Sequence, residues 1–273
     1  MITVRSLAEL REWRKGVDRV GFVPTMGAFH EGHLSLMREA KREQGCCAVS
    51  LFVNPKQFGP TEDLSRYPRD EAGDSLMAES AGADLLFCPS VEEIYPDSCT
   101  RVIVSGVSDR WEGAQRPGHF DGVSLVVLKL FNMVQPTAAY FGLKDLQQCA
   151  VIRQMTSDLN IPLDLKFIET VRTPEGLALS SRNKYLNGDD TQTAIGLQST
   201  LRDVIRSIKE GLADEVALAS GGASLRDLGL EPDYLCIVDP VSMSPCSSSV
   251  QGARVMAAVR FRGIRLLDNM PLG

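Results

Sequence analysis

Pro24-Thr25-Met26-Gly27-Ala28-Phe29-His30-Glu31-Gly32-His33 begins where a compact apolar run ends and leads into a stretch with helical spacing. A turn of this kind lies at the carboxyl end of a strand, the place where open parallel sheets collect ligands. The helix start offers N–H groups and the positive end of its dipole to an anion. His30 and His33, separated by Glu31 and Gly32, fall on roughly the same side of the first helical turn, so each can donate to a phosphate oxygen as charge develops. A capping or surface role is the plainer reading of a single histidine. The paired H-x-G-H spacing directly after a strand is what favours the anion site.

The same alternation continues on both sides of this turn. Residues 20–24, 48–53, 84–88, 138–141 and 163–168 are short apolar runs bounded by Pro, Gly or Asn, as buried parallel strands are. Residues 33–44, 70–81, 122–134 and 144–159 carry helical spacing between them, which predicts α/β architecture with a doubly wound, Rossmann-like parallel sheet. After Thr173-Pro174-Glu175-Gly176 the pattern changes to helices over 193–209 and 214–228, then strands over 234–238 and 254–261. A Rossmann-like domain over 1–175 and a smaller C-terminal α+β domain over 176–273 are therefore expected, with the Ser-rich stretch 242–252 as a loop between strands.

Composition narrows the class. Over 273 residues, 44% are hydrophobic and 23% charged, the proportions of a globular protein. A net charge of −6 argues against nucleic acid as partner, since phosphate backbones are met by a basic stripe. Small-molecule substrates fit better. The first ten residues include Arg5 and Glu9 and lack the apolar core of a signal peptide, and no run reaches the roughly eighteen apolar residues of a membrane span, so a cytoplasmic protein is expected. The seven cysteines form no C-x-x-C pair and read as buried, reduced thiols. With only three histidines beside them, a structural zinc site is not expected.

Further strings carry chemistry. Leu179-Ser180-Ser181-Arg182-Asn183 offers hydroxyls and a planar cationic fork that suits a triphosphate; alone it reads more often as a helix-capping loop, and its partnership with H-x-G-H is what makes it informative. Phe141-Gly142-Leu143-Lys144-Asp145-Leu146-Gln147-Gln148 is a second strand-to-helix turn. Gly142 there permits close approach of backbone to a ligand and Lys144 can neutralise phosphate charge. The alternative is that Lys144 and Asp145 merely begin a helix.

H-x-G-H at such a turn, paired with a later Ser-Ser-Arg loop, resembles the nucleotidyltransferases and class I aminoacyl-tRNA synthetases, which transfer AMP from ATP. Phe52-Val53-Asn54-Pro55-Lys56-Gln57-Phe58, Glu112-Gly113-Ala114-Gln115-Arg116-Pro117-Gly118-His119-Phe120, the 141–148 string and residues 176–183 narrow the resemblance. Together with 24–33 they run in the order found in the pantothenate synthetase (pantoate–β-alanine ligase) family, and 233–239 and 254–269 resemble its smaller domain.

The resemblance implies a two-step ligase. Pantoate attacks the α-phosphorus of ATP to give pantoyl adenylate and pyrophosphate, and β-alanine then displaces AMP. It assigns Met26, Gly27, Ala28, Phe29, His30, Glu31, Gly32, His33, Gly142, Leu143, Lys144, Asp145, Val171, Leu179, Ser180, Ser181 and Arg182 to ATP. His30, His33, Lys144, Ser180, Ser181 and Arg182 are its catalytic set, and Val171 would read the adenine edge through its backbone. Gln57 and Gln148 bind pantoate, Gln57 also borders β-alanine, and Mg²⁺ accompanies ATP near Asp145. Whether His33 donates a proton or acts by hydrogen bonding alone stays open. A homodimer is implied as well. Leu143 and Lys56 depart from the family's commoner Glu and Met, and both read as tuning. The string 112–120 reads as a loop acting as a lid, with Arg116 holding a neighbouring wall and His119 structural. A nucleotidyltransferase acting on a phosphate ester, and a nucleotide sensor without chemistry, are the competing readings.

Overall fold

A computed structural model describes residues 1–60, 62–97 and 99–273, and two compact units divide them. The first comprises residues 1–142 and 151–168, the second residues 143–150 and 169–273.

The first unit is built on a six-stranded parallel sheet in the order β1-β4-β3-β2-β5-β6. Along the chain come β1 (Ile2–Val4), α1 (Leu7–Lys15), β2 (Gly21–Thr25), α2 (Glu31–Gln44) and β3 (Cys47–Leu51). They are followed by α3 (Glu71–Ser80), β4 (Leu85–Phe87), the short α4 (Val91–Ile94) and α5 (Trp111–Gln115), and α6 (His119–Val134). The unit closes with β5 (Ala138–Gly142), part of α7 (Leu146–Asp158) and β6 (Asp164–Ile168). Because successive strand residues face opposite sides, Val23, Val49, Leu86 and Tyr140 can pack on Leu34, Met37 and Ala40 of α2 and Ala78 of α3. Phe141, the neighbour of Tyr140, meets Phe131 of α6 at 6.3 Å between ring centroids. Both faces are thus covered, which is why the strands read as continuous apolar runs.

The order of strands reverses beside β2. The chain steps from β2 to β3 to β4, then returns to place β5 on the other side of β2. This switch point puts the favoured ligand region outside the carboxyl ends of β2 and β5. Those ends continue into residues 26–33 and 143–145.

The second unit contains α8 (Gly188–Lys209), α9 (Asp214–Asp227) and an antiparallel sheet of β7 (Glu231–Val238), β8 (Arg254–Phe261) and β9 (Ile264–Pro271). Leu197, Leu201 and Val204 of α8 and Leu225 of α9 pack with Val255, Ala257 and Val259 of β8. The expected fold class is what is found. The periodicity missed β1 and α1, which are short and amphipathic, and β9, whose Arg265, Asp268 and Asn269 interrupt the apolar pattern.

The thiols need correction. Cys47, Cys88 and Cys149 are buried, but Cys46, Cys236 and Cys246 are only half-buried and Cys99 is exposed; among the described residues no disulfide forms. Burial raises the Cys88 thiol to about 11, so it stays protonated at neutral pH.

Candidate functional site

The turn after β2 is held from three sides. Thr25 Oγ1 donates to the Ser50 carbonyl at 2.6 Å and accepts from the Gly27 N–H at 3.3 Å. The buried Asp74 carboxylate accepts the N–H groups of Ala28 and Phe29, both at 2.7 Å. Gly27 has φ of +85°, and a Cβ there would lie 2.8 Å from Asp74 Oδ2, so the position needs glycine on both counts.

His30 is the N-cap of α2, and its Nδ1 accepts the Gly32 N–H at 3.2 Å. That contact puts the proton of the neutral ring on Nε2, the nitrogen able to donate outward. The His30 and His33 rings lie 4.1 Å apart, centroid to centroid, tilted by 37°. The capping role and the paired arrangement therefore coexist. One expectation changes: the N–H groups of Ala28, Phe29 and Gly32 are engaged by side chains, and that of His33 by the His30 carbonyl at 2.8 Å. What this helix start offers an anion is its dipole and two imidazoles rather than a row of open amides.

Gln57 sits at the end of a 3-10 turn, Pro55–Gln57, capped by Asn54, which accepts the Lys56 N–H at 3.2 Å. Only 8% of Gln57 is exposed. Its Oε1 accepts from Asn54 Nδ2 at 3.1 Å, and its Nε2 reaches Met26 Sδ at 3.0 Å, which joins this turn to the one after β2. Tyr95 donates to Asn54 Oδ1 at 2.8 Å, and Asn54 Nδ2 donates to the Gly122 carbonyl at 3.0 Å. A Cβ on Gly122 would stand 2.2 Å from the Lys56 carbonyl oxygen, so only glycine lets α6 approach this closely. Lys56, the departure from Met, aims its ammonium at the Tyr95 ring, 4.5 Å from the centroid.

Residues 112–120 do not form an open loop. They make up most of α5, a three-residue connection and the start of α6. Arg116 grips Glu62 through Nε and Nη2, each at 2.7 Å. Its Nη1 lies 3.0 Å from His119 Nε2, and since arginine only donates, that nitrogen accepts. His119 Nδ1 therefore carries the proton and donates to the Gln57 carbonyl at 2.8 Å. Burial, aided by the Arg116 charge, pushes His119 down to about 4, which keeps it neutral. Arg116 and His119 thus hold the string against Glu62 and the Gln57 carbonyl, as a buttress beneath Gln57.

In the second unit, Leu143–Asp145 form a 3-10 turn before α7 begins at Leu146, slightly later than its spacing suggests. Lys144 Nζ lies 3.3 Å from Asp145 Oδ1, with the Asp145 side chain half exposed. Gln148 is in the first turn of α7 and half-buried, while the neighbouring Gln147 is buried. Residues Ser181–Tyr185 form another 3-10 turn, capped by Ser180, whose Oγ accepts the Arg182 N–H at 3.3 Å. Asn183 Nδ2 donates to the Ala178 carbonyl at 3.0 Å and closes the loop. Val171 accepts the Leu179 N–H at 3.0 Å, which ties the expected adenine contact to the start of this loop. Asn54, Tyr95, Asp74 and Asn269, whose Nδ2 donates to the Leu143 and Lys144 carbonyls, shape these turns without having been singled out from sequence. Asn54 alone had a signal, the Asn-Pro step that caps a turn.

Comparison with known proteins follows the same lines. Residues 2–271 match the family model for pantoate-beta-alanine ligase. The chain is 48% identical over 275 residues to the pantothenate synthetase of Thermus thermophilus, covering 99% of each, and 46% identical over 273 residues to that of Chloroflexus aurantiacus, covering 98% of this chain and 97% of the relative. A Thermus thermophilus pantothenate synthetase crystal structure superposes with a TM-score of 0.95 at 46% identity, over 100% of this chain and 99% of the other. A Francisella tularensis pantoate-beta-alanine ligase, solved in complex with beta-gamma ATP and beta-alanine, does so with 0.83 at 33% identity, over 100% and 98%.

Proposed function

We infer the activity from one premise: this chain belongs to the pantoate-beta-alanine ligase family. It condenses pantoate with β-alanine at the expense of ATP, giving pantothenate, AMP and pyrophosphate. In the first step a pantoate carboxylate oxygen bonds to the α-phosphorus and the bond to pyrophosphate breaks. In the second the β-alanine amine attacks the acyl carbon, AMP leaves with the bridging oxygen, and the amine gives up a proton as the amide forms.

The observation that carries this reading at the level of the site is the contact between Gln57 Nε2 and Met26, which ties a buried, neutral amide to the first residues of the turn that ends in the paired imidazoles. An amide can orient the carboxylate and hydroxyls of pantoate without pairing its charge and blunting the nucleophile. His30 and His33 are aimed at the charge that grows on the phosphates, with His33 the proton donor in our assignment. Lys144, Ser180, Ser181 and Arg182 complete the electrostatic set. Residues 26–33, Gly142, Leu143, Asp145, Val171 and Leu179 complete the ATP site. Gln148 joins Gln57 on pantoate, and Gln57 also receives β-alanine. The C-terminal α+β domain, with the 179–183 loop, acts as the lid.

Mg²⁺ fits a mode in which ATP supplies most of the oxygens. Among the described residues no cluster of three His, Cys, Asp or Glu could cage a metal, whereas a single half-exposed carboxylate, Asp145, beside Lys144 suits a nucleotide-borne ion. Bound there, the ion neutralises phosphate charge. Seven cysteines without a disulfide among the described residues fit the reducing cytoplasm we assign, and we assign a homodimer by family. A phosphate-ester acceptor is disfavoured by the Gln57 surroundings: its amide meets the neutral Asn54, and the nearby cations are engaged, Lys56 over the Tyr95 ring and Arg116 on Glu62.

The test is exchange of labelled pyrophosphate into ATP. Exchange that requires pantoate but not β-alanine, followed by AMP and pantothenate once β-alanine is added, is the expected outcome. Exchange without pantoate, or none in a protein that binds ATP, would refute the ligase.

A further inference from the structure

Asn269, on β9, has every polar group of its side chain and backbone amide engaged. Nδ2 donates to the Leu143 carbonyl at 2.8 Å and to the Lys144 carbonyl at 3.1 Å. Oδ1 accepts from Arg254 Nε at 2.6 Å. This set fixes the amide orientation, because two carbonyls on one end and a guanidinium on the other admit a single arrangement. The backbone N–H donates to Asp268 Oδ1 at 2.8 Å, and the carbonyl accepts from Arg172 Nη2 at 3.3 Å.

Two guanidiniums lock this residue. Arg254 is buried and continues to both carboxylate oxygens of Glu169 at 3.0 Å. Arg172 holds both oxygens of the buried Asp268, at 2.5 and 2.8 Å, and donates to the Gly176 carbonyl at 3.2 Å. Asn269 itself is 2% exposed. A carbonyl pair at the surface would be served by water; a buried asparagine between two locked arginines instead fixes where the backbone of Lys144 lies.

We propose that Asn269 is a positioning residue for nucleotide binding, setting the Leu143–Asp145 turn so that Lys144 meets the phosphates of ATP. The proposal rests on the ligase reading, in which Lys144 is a phosphate ligand. It also explains why Leu143 can replace a glutamate: the held group is the backbone carbonyl, which any residue supplies. Asn269→Asp keeps an acceptor for Arg254 but loses both donations, and sets a carboxylate against two carbonyl oxygens. Asn269→Ala removes the contact without adding charge.

The experiment is a double-mutant cycle on the full chain, reading the Kd for Mg-ATP by calorimetry in wild type, Asn269→Asp, Lys144→Ala and the double variant, with Asn269→Ala and its double as a second cycle. Melting curves confine the comparison to folded protein. Asn269→Asp is expected to weaken ATP binding about tenfold and leave the KM for pantoate within about twofold, with the double variant no weaker than Lys144→Ala within about twofold. Additive losses in both cycles, or ATP binding unchanged in a folded Asn269 variant, would overturn the proposal. Wild type that binds ATP but shows no pantoate-dependent exchange would overturn the ligase reading and this proposal with it; wild type that exchanges normally isolates the failure to Asn269.

Discussion

The turn after β2 and the turn after β5 present the same kind of element, a strand end feeding a helix, yet they are fixed by different means. Residues 26–33 are held mostly from close by: Thr25 caps Gly27 and His30 caps its own helix, while Asp74, 46 positions from Ala28, reaches in from α3. Residues 143–145 are held by Asn269, 126 positions from Leu143. The first turn is specified by its own string and one returning helix; the second depends on the C-terminal sheet having folded. The backbone of Lys144, which we assign to the phosphates, is thereby tied to the last strand.

Substitutions can break this contrast. The largest effect is expected at the imidazole pair: His33→Ala should lower pantoate-dependent exchange by roughly a thousandfold, the scale for losing a proton donor or a charge-stabilising donor. A loss under about tenfold would remove His33 from the chemistry. Next comes Asp74→Ala, which strands two N–H groups beside a buried cavity. It should destabilise the first unit by about 3 kcal/mol in denaturant titration, and leave the turn at 143–145 intact, as judged by proteolysis there. Equal loosening of both turns would contradict their separate anchoring.

A pH experiment sharpens the picture of the buttress beneath Gln57. His119 is neutral in the fold, its value pushed from 6.5 down to about 4, whereas the unfolded chain protonates it near 6.5. Between these values the unfolded state binds the extra proton. The contribution is therefore complete above pH 6.5 and is lost as the pH falls toward 4, amounting to on the order of 3 kcal/mol. Wild type should lose stability over that window and His119→Gln should lose much less; parallel curves would mean that His119 is not held neutral. The smallest effect is expected from Lys56→Met. With its ammonium over Tyr95, its removal should change the KM for pantoate by no more than about twofold.

The contrast between the turns also explains what the sequence made legible. The parallel sheet followed from apolar runs that are buried on both faces, and the H-x-G-H turn from spacing alone, since His30 and His33 are brought together by one helical turn. Gln57 was legible as part of a string, but its Asn54–Tyr95 support was not, because Tyr95 arrives from 41 residues away. The support of the 143–145 turn was the least legible. Asp268 and Asn269 read as polar interruptions near the end of the chain, and nothing in their local pattern announces that Arg172, Arg254 and the Lys144 carbonyl converge on them. The 112–120 string misled in the other direction: its Gly and Pro content suggested an open loop, whereas Arg116 and His119 are locked on Glu62 and Gln57.

The most direct test of the account follows one oxygen atom. With pantoate carrying ¹⁸O in its carboxylate, attack on the α-phosphorus and later displacement by β-alanine carry one labelled oxygen into AMP, leaving the other in the pantothenate amide. Mass spectrometry should find one ¹⁸O per AMP and none in pyrophosphate. Unlabelled AMP, or label in phosphate, would contradict the acyl-adenylate route.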